Sequence, residues 1–446
     1  EDELDQGSRL PKGVTADMID FVIITHAHID HSGYLPRLIK DGFKGFAYTH
    51  PATLDLLKIL LPDSGRIQEE DVWEENGELI AAARKQGKWA KLNEPLYTLK
   101  DSRIALKRIK LIDYDRPVRF AGDVEVLFTE AQHILGSAVV TITVGSGADK
   151  RVICFNGNIG RDSMSLLRPL KPVKKADVLI AESTYGNVLH DKRDRLEVLS
   201  GIINRAYDRA KTSHPKYGCG VIVIPAFAIG RVQALIYDLR TLMEHKRIPE
   251  IPVFLDSPMA SKATRVYRKW TKLYNTEAAA LVARGIDPIS TPVFAECKKS
   301  VHSKALDGKN NQPIIIIGSA GMATGGRIRG HIQARLPGKQ NTILFVGHQE
   351  PGVLGHTLTS EHPETVKFDN DVVRVNATIE MMTDYSGHAD YEDSIAWLRN
   401  FAQPPAVTFL VHGEPQGLTG FRQHIEETLG WKNVTIPKHR QAFDIN

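Results

Sequence analysis

The sequence predicts an α/β protein that is large enough for two domains. The chain has 446 residues, 42% of them hydrophobic, so two separate hydrophobic cores are expected. Short apolar runs rich in β-branched residues alternate with longer charged, helical stretches, a pattern typical of parallel sheets covered by helices. Several of the apolar runs stop at polar residues, and the carboxyl ends of parallel strands are where functional sites usually lie.

Composition and charge indicate an ordinary globular chain. No uninterrupted apolar segment reaches the about 18 residues of a membrane helix, so neither a membrane span nor, given the polar N-terminus, a secretory signal is predicted. The cysteines Cys154, Cys219 and Cys297 are far apart, which argues against a disulfide framework and favours a reducing, cytoplasmic location. A formal charge of +4 is compatible with a polyanionic partner but does not require one.

The first strand ends at a cluster of metal-ligand side chains. The apolar run 21–24 leads into His26, His28, Asp30 and His31. An extended backbone points side chains two residues apart the same way, so the first two imidazoles face one ion and the Asp-His pair faces a neighbouring ion. Nitrogen donors with one carboxylate suit zinc best, although manganese and iron remain open. A polar loop without a metal is the less favoured interpretation.

The order of these residues resembles a known family. Residues 26–31 resemble the H-x-H-x-D-H signature of the metallo-β-lactamase fold, a family of mostly two-zinc hydrolases. Further motifs resemble the β-CASP branch of ribonucleases, which includes RNase J and the endonuclease subunit of the cleavage and polyadenylation machinery. The resemblance implies an αββα sandwich over 1–187 and 376–446, with an inserted parallel-sheet α/β β-CASP domain over 188–375. It also implies that the leading strands of the family are missing before the histidine loop.

Three elements are expected to follow the histidine loop. The pattern predicts a helix over 34–40, a strand over 45–49 and a helix over 51–61 that begins at a proline. His50 lies between the last two elements. A loop histidine with satisfied hydrogen bonds is the favoured interpretation of His50, rather than a metal ligand.

A charged stretch over 69–92 comes next. Its composition predicts a mostly helical, solvated arm over the site. We expect Trp73 and Trp89 to anchor this arm, because large aromatic side chains usually bury most of their surface.

His133 follows the alternating strand 124–128. A single histidine at a strand end is usually structural. Here the residues that follow, Gly136-Ser137-Ala138 and the strand 139–144, resemble the third motif of the family. The resemblance implies that His133 is the third imidazole on the first metal.

Asn158 departs from the family pattern. The strand 151–155 ends in a turn that reads G-D-[IL]-G in the family, where the Asp bridges the two metals, and this chain has Asn158 instead. An amide offers one oxygen but no charge, so the second metal should be held more weakly. Losing this bridge should cost at least the about 10–100-fold typical of a lost supporting contact. Because the other ligands are present, an introduced Asp→Asn substitution that inactivates the enzyme is favoured over natural decay.

An acidic motif follows the buried strand 178–182. Residues 181–186, Ala-Glu-Ser-Thr-Tyr-Gly, resemble the first β-CASP motif. By this resemblance Glu182 orients a catalytic histidine, and its carboxylate should raise the pKa of that imidazole.

The last part of the chain resembles the two remaining motifs. Residues 385–390 contain His388, which the resemblance assigns as the general acid, and residues 410–414 contain His412, the last imidazole on the second metal. By the same resemblance, RNA-processing members carry histidine at this position and DNA-repair nucleases usually carry valine, so His412 favours RNA over DNA. The expected catalytic residues are Asp30, Glu182 and His388. The expected metal ligands are His26, His28, Asp30, His31, His133, Asn158 and His412.

Two loops in the insert could contact phosphates. They follow the strands 220–224 and 314–317, and backbone amides at such strand ends favour anions. Tight packing turns are the alternative, and the resemblance favours phosphate contacts. The residues expected to contact RNA phosphates are Arg231, Ser319, Gly321, Gly325, Gly326 and Arg327.

Together these features predict a zinc-dependent ribonuclease that hydrolyses RNA phosphodiester bonds with two metals about 3.5–4 Å apart. Single-stranded RNA is the expected partner. Two alternatives remain: an inactive RNA-binding scaffold, which Asn158 makes reasonable, and a small-molecule ester or thioester hydrolase, which would not need the long insert. Endonuclease or 5′ exonuclease action and a homodimeric state are left open.

Overall fold

The chain forms two compact units. The computed structural model describes residues 10–11, 13–85, 89–161, 166–212, 218–369, 371–439 and 441–444. Unit 1 contains Glu1–Gly160, Pro169–Asn187 and Tyr391–Asn446, and unit 2 contains Arg161–Arg168 and Val188–Asp390. Within the described ranges, no helix combines the length and the apolar character needed to cross a membrane.

The strands lie in both units and are numbered along the chain. They are β1 (Phe21–Ile23), β2 (Phe46–Thr49), β3 (Ile109–Leu111), β4 (Val118–Phe120), β5 (Val124–Glu130), β6 (Ala138–Val144), β7 (Arg151–Phe155), β8 (Val178–Glu182), β9 (Val221–Pro225), β10 (Val253–Leu255), β11 (Phe294–Glu296), β12 (Ile314–Gly318), β13 (Thr342–Phe345), β14 (Thr365–Phe368), β15 (Asp371–Arg374), β16 (Thr378–Met381), β17 (Val407–Val411) and β18 (Val434–Thr435).

The helices connect these strands. They are Ile29–Ser32, Leu35–Lys40, Pro51–Lys85, Leu99–Leu106, Arg195–Ala210, Arg231–Glu244, Pro258–Lys269, Thr276–Ala283, Ser300–Leu306, Gly326–Arg335, Leu354–His356, Tyr391–Leu398 and Pro415–Leu429. Short 3₁₀ turns cover Ala16–Met18, Gly147–Asp149 and Thr271–Leu273, and a π-helical turn covers Thr357–Glu361.

Unit 1 packs two sheets face to face. One sheet has the order β1-β2-β3 and the other the order β18-β17-β8-β7-β6-β5-β4. Side chains from both sheets share one core, in which Phe128 and Val140 of the larger sheet pack with Ile23 and Tyr48 of the smaller one. Alternating apolar side chains on β5 and β6 supply this core, because successive residues of a strand face opposite sides.

The larger sheet brings the ends of distant strands to one edge. β7, β8 and β17 are parallel neighbours, and β5 runs in the same direction because it pairs antiparallel with β6, which pairs antiparallel with β7. The carboxyl ends of these four strands therefore point the same way. Residues that are far apart in sequence can meet at this edge.

Unit 2 contains a parallel sheet with the order β11-β10-β12-β9-β13-β16, which confirms the predicted parallel-sheet α/β architecture. Its central strands are buried on both faces, as the continuous apolar run of Ile314–Gly318 requires. The division between the units comes at Asp390, later than the boundary at 375 predicted from sequence. The reason is that β16 pairs with β13 and so extends the sheet of unit 2.

The charged arm differs from its prediction. The helix expected to end at residue 61 continues as Pro51–Lys85 with Pro62 inside it. Trp73 is 78% exposed and Trp89 is fully exposed, so the prediction that these side chains anchor the arm was wrong.

Polar contacts hold the arm instead. The Asn76 side chain donates to the carbonyl of Asn93 and accepts from its N–H. Closer to the body of unit 1, the Tyr97 hydroxyl donates to Ser64 Oγ at 2.8 Å. Hydrogen bonds at a helix surface can thus fix a segment that buries little apolar area.

Candidate metal centre

Three imidazoles converge in the interior of unit 1. His28 Nδ1 lies 3.2 Å from His26 Nε2 and 3.0 Å from His133 Nε2. These separations are close to the about 3.3–3.4 Å expected between two nitrogens that share a tetrahedral zinc at 2.0–2.1 Å. His26 and His133 are buried. The structure therefore brings together the first ligand set predicted from sequence.

The loop after β1 fixes the first two of these histidines. Thr25 Oγ1 lies 3.1 Å from His26 Nδ1, which leaves Nε2 facing the other rings. Ser32 Oγ donates to the carbonyls of Ala27 and His28. A contact of this kind sets the orientation of a ligating imidazole and the nitrogen that carries its proton.

His133 is held by a tight turn after β5. Ser137 Oγ accepts the backbone N–H of His133 and of Ile134. Gly136 has a φ of +82°, and a Cβ there would lie 2.6 Å from the backbone nitrogen of Thr53. Only glycine fits this position. The turn after His133 therefore needs Gly136 for steric reasons and Ser137 for its hydrogen bonds.

A second cluster lies beside the first. His31 Nε2, His412 Nε2 and Asp30 Oδ2 are separated pairwise by 3.1, 3.2 and 3.1 Å. The rings of His26 and His31 have centroids 4.2 Å apart, so the two clusters adjoin. Two imidazoles and one carboxylate form a ligand set that suits zinc. The second cluster is more exposed, since the Asp30 side chain is 61% accessible.

The electrostatics of the two clusters differ. Burial, together with the neighbouring imidazoles of His133 and His28, lowers the pKa of His26 well below its ordinary value, which favours the neutral form that binds metal. Burial opposes ionisation of Asp30, but hydrogen bonds from His31 and His412 outweigh it and lower the pKa of Asp30. The hydrogen bond to Asp30 raises the pKa of His412. The first cluster thus contains a neutral His26 ring, and the second cluster contains an anion.

Asn158 lies next to the first cluster. Its Nδ2 is 3.4 Å from His26 Nε2, and its buried Oδ1 has no hydrogen-bond partner among the described residues. A buried amide oxygen without a partner costs free energy, and a cation would satisfy it. The donor set and this oxygen fit bound divalent metal.

Glu182 supports the centre from the end of β8. Its backbone N–H donates to Asn156 Oδ1, and its Oε1 accepts from the backbone N–H of Ile159 at 2.6 Å. Its Oε2 accepts from Thr184 Oγ1 at 2.8 Å. The Thr184 Oγ1 atom also lies 3.0 Å from His412 Nδ1. Sequence reasoning did not single out Asn156 or Thr184. The signal for Thr184 was a hydroxyl within the quoted motif, two residues after Glu182.

The loop of His388 is ordered within unit 2. His190 Nε2 lies 3.1 Å from the carbonyl of His388, and its backbone N–H donates to Asp390 Oδ2. The His388 N–H donates to Ser386 Oγ. His190 is buried, and burial lowers its pKa, consistent with a neutral ring that donates to a carbonyl. His190 was also missed, because nothing near it in sequence marks it.

The two glycine-containing loops of unit 2 meet at one sheet edge. β9 and β12 are parallel neighbours, and a Cβ at Gly321 would lie 3.0 Å from the backbone nitrogen of Phe227. Arg231 Nε donates to the carbonyl of Tyr385. The two loops predicted separately from sequence are therefore in contact.

Arg327 already has internal partners. Its Nη1 donates to Asp256 Oδ1 at 2.8 Å and to the carbonyl of Cys297. Ser319 Oγ lies 2.6 Å from Ser257 Oγ. These contacts favour a packing role for Arg327, so a phosphate role stays a prediction for this residue.

His50 makes the contacts of a structural histidine. Its Nδ1 accepts from the backbone N–H of Ala52, and its ring stacks on Tyr114 with centroids 4.0 Å apart. The ring lies outside both ligand clusters. The interpretation of His50 as a satisfied loop histidine is consistent with this geometry.

Three family models match the chain in succession. The metallo-beta-lactamase superfamily matches residues 5–154, the Beta-Casp domain matches 232–358, and the Zn-dependent metallo-hydrolase RNA specificity domain matches 372–437. The first and last of these regions carry the two ligand clusters.

Similar proteins include a ribonuclease of Thermus thermophilus, which is 29% identical over 92% of this chain and 84% of its own length. An RNase J-like protein of Methanocaldococcus jannaschii is 27% identical over 96% of the chain and 88% of its own length. Transcription termination factor FttA of Methanosarcina mazei is 28% identical over 94% of the chain. The chain spans 62% of that factor.

The β-CASP match, the two ligand clusters and the histidine motif point to one group of proteins. The fold agrees with it, because the parallel sheet of unit 2 lies between two segments of unit 1 in sequence. Over these three regions the chain matches the metallo-β-lactamase superfamily and its β-CASP branch.

Proposed function

We propose that this chain is a zinc-dependent hydrolase of the ribonuclease type that cleaves phosphodiester bonds of single-stranded RNA. The observation that carries the proposal is the pair of adjoining ligand clusters in unit 1, His26-His28-His133 and Asp30-His31-His412. The match to an RNA specificity domain and the ribonucleases among the relatives support RNA as the substrate class.

The two clusters would each hold one metal ion, with Asn158 beside the first cluster. Bound divalent metal supplies Lewis-acid polarisation of a phosphate oxygen and lowers the pKa of water. The carboxylate of Asp30 compensates part of the cationic charge. The buried imidazoles of His26 and His133 exclude bulk water from the first position and so strengthen electrostatic interactions there.

His388 is proposed as the general acid that protonates the departing ribose oxygen, with Glu182 orienting it. The support for this assignment is the motif 385–390 and the loop in which the His190 ring contacts the carbonyl of His388, while Asp390 Oδ2 accepts the backbone N–H of His190. Arg231 and the adjoining loops of unit 2 are proposed to bind phosphates of the RNA strand.

We expect Asn158 to impair this activity. A neutral amide leaves the pair of cations with one negative charge fewer than a carboxylate would. A second candidate function follows from this residue, namely a non-catalytic RNA-binding scaffold. The scaffold function predicts RNA binding that persists after a chelator removes metal. The hydrolase function predicts RNA cleavage that depends on zinc.

The substrate class is tested with the Asn158→Asp chain and two substrates, a labelled single-stranded RNA and a nitrophenyl ester. The proposal predicts zinc-dependent cleavage of RNA and little turnover of the ester. Ester turnover without RNA cleavage would instead support a small-molecule hydrolase of the same fold.

A further inference from the structure

The hydroxyl of Thr184 lies between the carboxylate of Glu182 and the imidazole of His412. Thr184 Oγ1 is 2.8 Å from Glu182 Oε2 and 3.0 Å from His412 Nδ1. All three residues belong to unit 1, where β8 and β17 are parallel neighbours and Glu182 pairs with Val411. The residues after these two strand ends are therefore brought together by the sheet itself.

The protons of this contact can be assigned by counting donors. A threonine hydroxyl has one proton and two acceptor lone pairs, and an ionised carboxylate only accepts. Thr184 therefore donates to Glu182, since a charged acceptor at 2.8 Å competes better than the His412 carbonyl at 3.2 Å. The hydroxyl oxygen is then an acceptor for Nδ1–H of His412.

This assignment fixes the other nitrogen of the ring. With one proton fixed on Nδ1, His412 can release the Nε2 proton that it donates to Asp30 Oδ2 at 3.2 Å and offer the Nε2 lone pair to a metal beside His31 Nε2, which lies 3.1 Å away. That is the nitrogen a metal in the second cluster would use. A hydrogen bond to the non-ligating nitrogen orients a metal-binding imidazole and raises its basicity.

We propose that Thr184 is a positioning residue that links the Glu182 carboxylate to the His412 ring. Through this link it sets the affinity of the second cluster for its metal. The inference rests on the proposed function, because it assigns metal to this cluster. His412 has a φ of +53°, a conformation that non-glycine residues adopt at a cost. The backbone N–H of Ser183 donates to the carbonyl of His412 at 3.2 Å. The segment 183–184 therefore supports both the backbone and the ring of His412.

Glu182 also supports the turn that carries Asn158. Its other oxygen accepts from the N–H of Ile159, the residue after Asn158. One carboxylate thereby holds the turn that carries Asn158 and, through Thr184, the ring of His412. In the first cluster, Thr25 contacts the ring of His26 and Ser137 holds the backbone of His133. The effect of Thr184 should therefore be confined to the second metal.

The test is a zinc titration of the metal-free chain by calorimetry and by competition with a chelating dye, without RNA. Thr184→Val keeps the shape and removes the hydroxyl, whereas Thr184→Ser keeps the hydroxyl. Thr241→Val is the matched control, because the Thr241 hydroxyl donates to the carbonyl of Tyr237 within unit 2. The same set is made on the Asn158→Asp chain, where the second binding step should be stronger.

We expect Thr184→Val to weaken the second zinc step about 10–100-fold and to leave the first step unchanged. Thr184→Ser and Thr241→Val should stay within about 2-fold of their parent, well under that loss. An unchanged second step in Thr184→Val, or an equal loss in Thr184→Ser, would overturn the inference and leave the proposed function standing. A parent Asn158→Asp chain that binds only one zinc would overturn both.

Discussion

The ligand side chains differ in how completely the fold encloses them. His26 and His133 are buried, whereas Asp30 and His412 are partly accessible. The buried cluster is preformed and would bind an ion with little reorganisation. The exposed cluster depends more on each of its own members.

We therefore expect His412→Ala to lose the metal of the second cluster, and His133→Ala to weaken metal binding at the first cluster. Each change removes one of three protein donors from a cluster, and an open coordination site is then filled by water. Metal content after dialysis, measured by mass spectrometry on each variant and on the parent, checks this. Equal metal content in the parent and in both variants would contradict the ligand assignment.

Another charged cluster lies in unit 2, whereas the metal-ligand clusters belong to unit 1. Asp256 is completely buried and contacts Arg327, while His331 Nε2 lies 2.7 Å from Asp256 Oδ2 and its Nδ1 2.5 Å from Asp307 Oδ1. Burial opposes protonation of His331, but the hydrogen bonds to Asp256 and Asp307 outweigh it, so the pKa of His331 is raised. This imidazolium stabilises the fold.

The pH dependence follows from that sign. Because the folded pKa of His331 lies above its unfolded value of about 6.5, the stabilisation is full below that value and is lost as pH rises through the folded pKa. We expect His331→Gln to cost about 3–5 kcal/mol below pH 6 and less at pH 9. Urea unfolding of both proteins at several pH values measures this difference. A difference independent of pH would contradict a charged His331.

At the scale of elements, the helix Pro51–Lys85 shows that a large aromatic side chain is not always buried. Trp73 is 78% exposed, whereas Trp397 is 4% exposed and its Nε1 donates to the carbonyl of Lys171. The hydrophobic contribution of a side chain follows the area it removes from water. The two tryptophans should therefore differ in their contribution to stability.

We predict that Trp73→Ala changes the free energy of unfolding by less than about 0.5 kcal/mol. Trp397→Ala, the buried counterpart in the same unit, should cost about 3–5 kcal/mol. Chemical denaturation of the two variants beside the parent makes the comparison. A large loss in Trp73→Ala would mean that this side chain is covered after all.

The elements also show what the sequence could predict. Apolar runs such as Ile314–Gly318 and Val221–Pro225 gave the parallel strands nearly to the residue, because a strand buried on both faces has an unambiguous pattern. The helix running through Pro62 was missed, since a proline inside a helical pattern normally marks its end. Strand pairing such as β13 with β16 is a long-range contact that no local pattern encodes.

At the site, the ligands of residues 26–31 could be predicted because four donors stand within six residues of one another, whereas His133 and His412 were assigned by their resemblance to family motifs. The side chains that support these ligands could not be predicted. Thr184, His190 and Asn156 act through contacts between separate strands or loops, and their residue types are common at any strand end. Only the assembled sheet shows which of them reach the site.

At the scale of the whole molecule, metal should stabilise one unit selectively. Both ligand clusters lie in unit 1, so binding to the folded form stabilises that unit by linkage, by about 2.7 kcal/mol at a free zinc concentration 100 times Kd. Hydrogen exchange with and without zinc measures this. Protection should rise in β5, β7 and β17 and stay constant in β9 and β12, and a uniform change over both units would contradict the assignment.

The most direct test is cleavage of an end-labelled single-stranded RNA, with zinc supplied, by this chain and by its Asn158→Asp counterpart side by side. We expect the Asp form to cut at least about 10–100-fold faster, because a carboxylate at this position restores one negative charge beside the metal ligands. The product lengths will distinguish internal cutting from cutting at a 5′ end. If neither form cuts while both bind RNA, the chain is a binding scaffold and the proposed hydrolytic function is wrong.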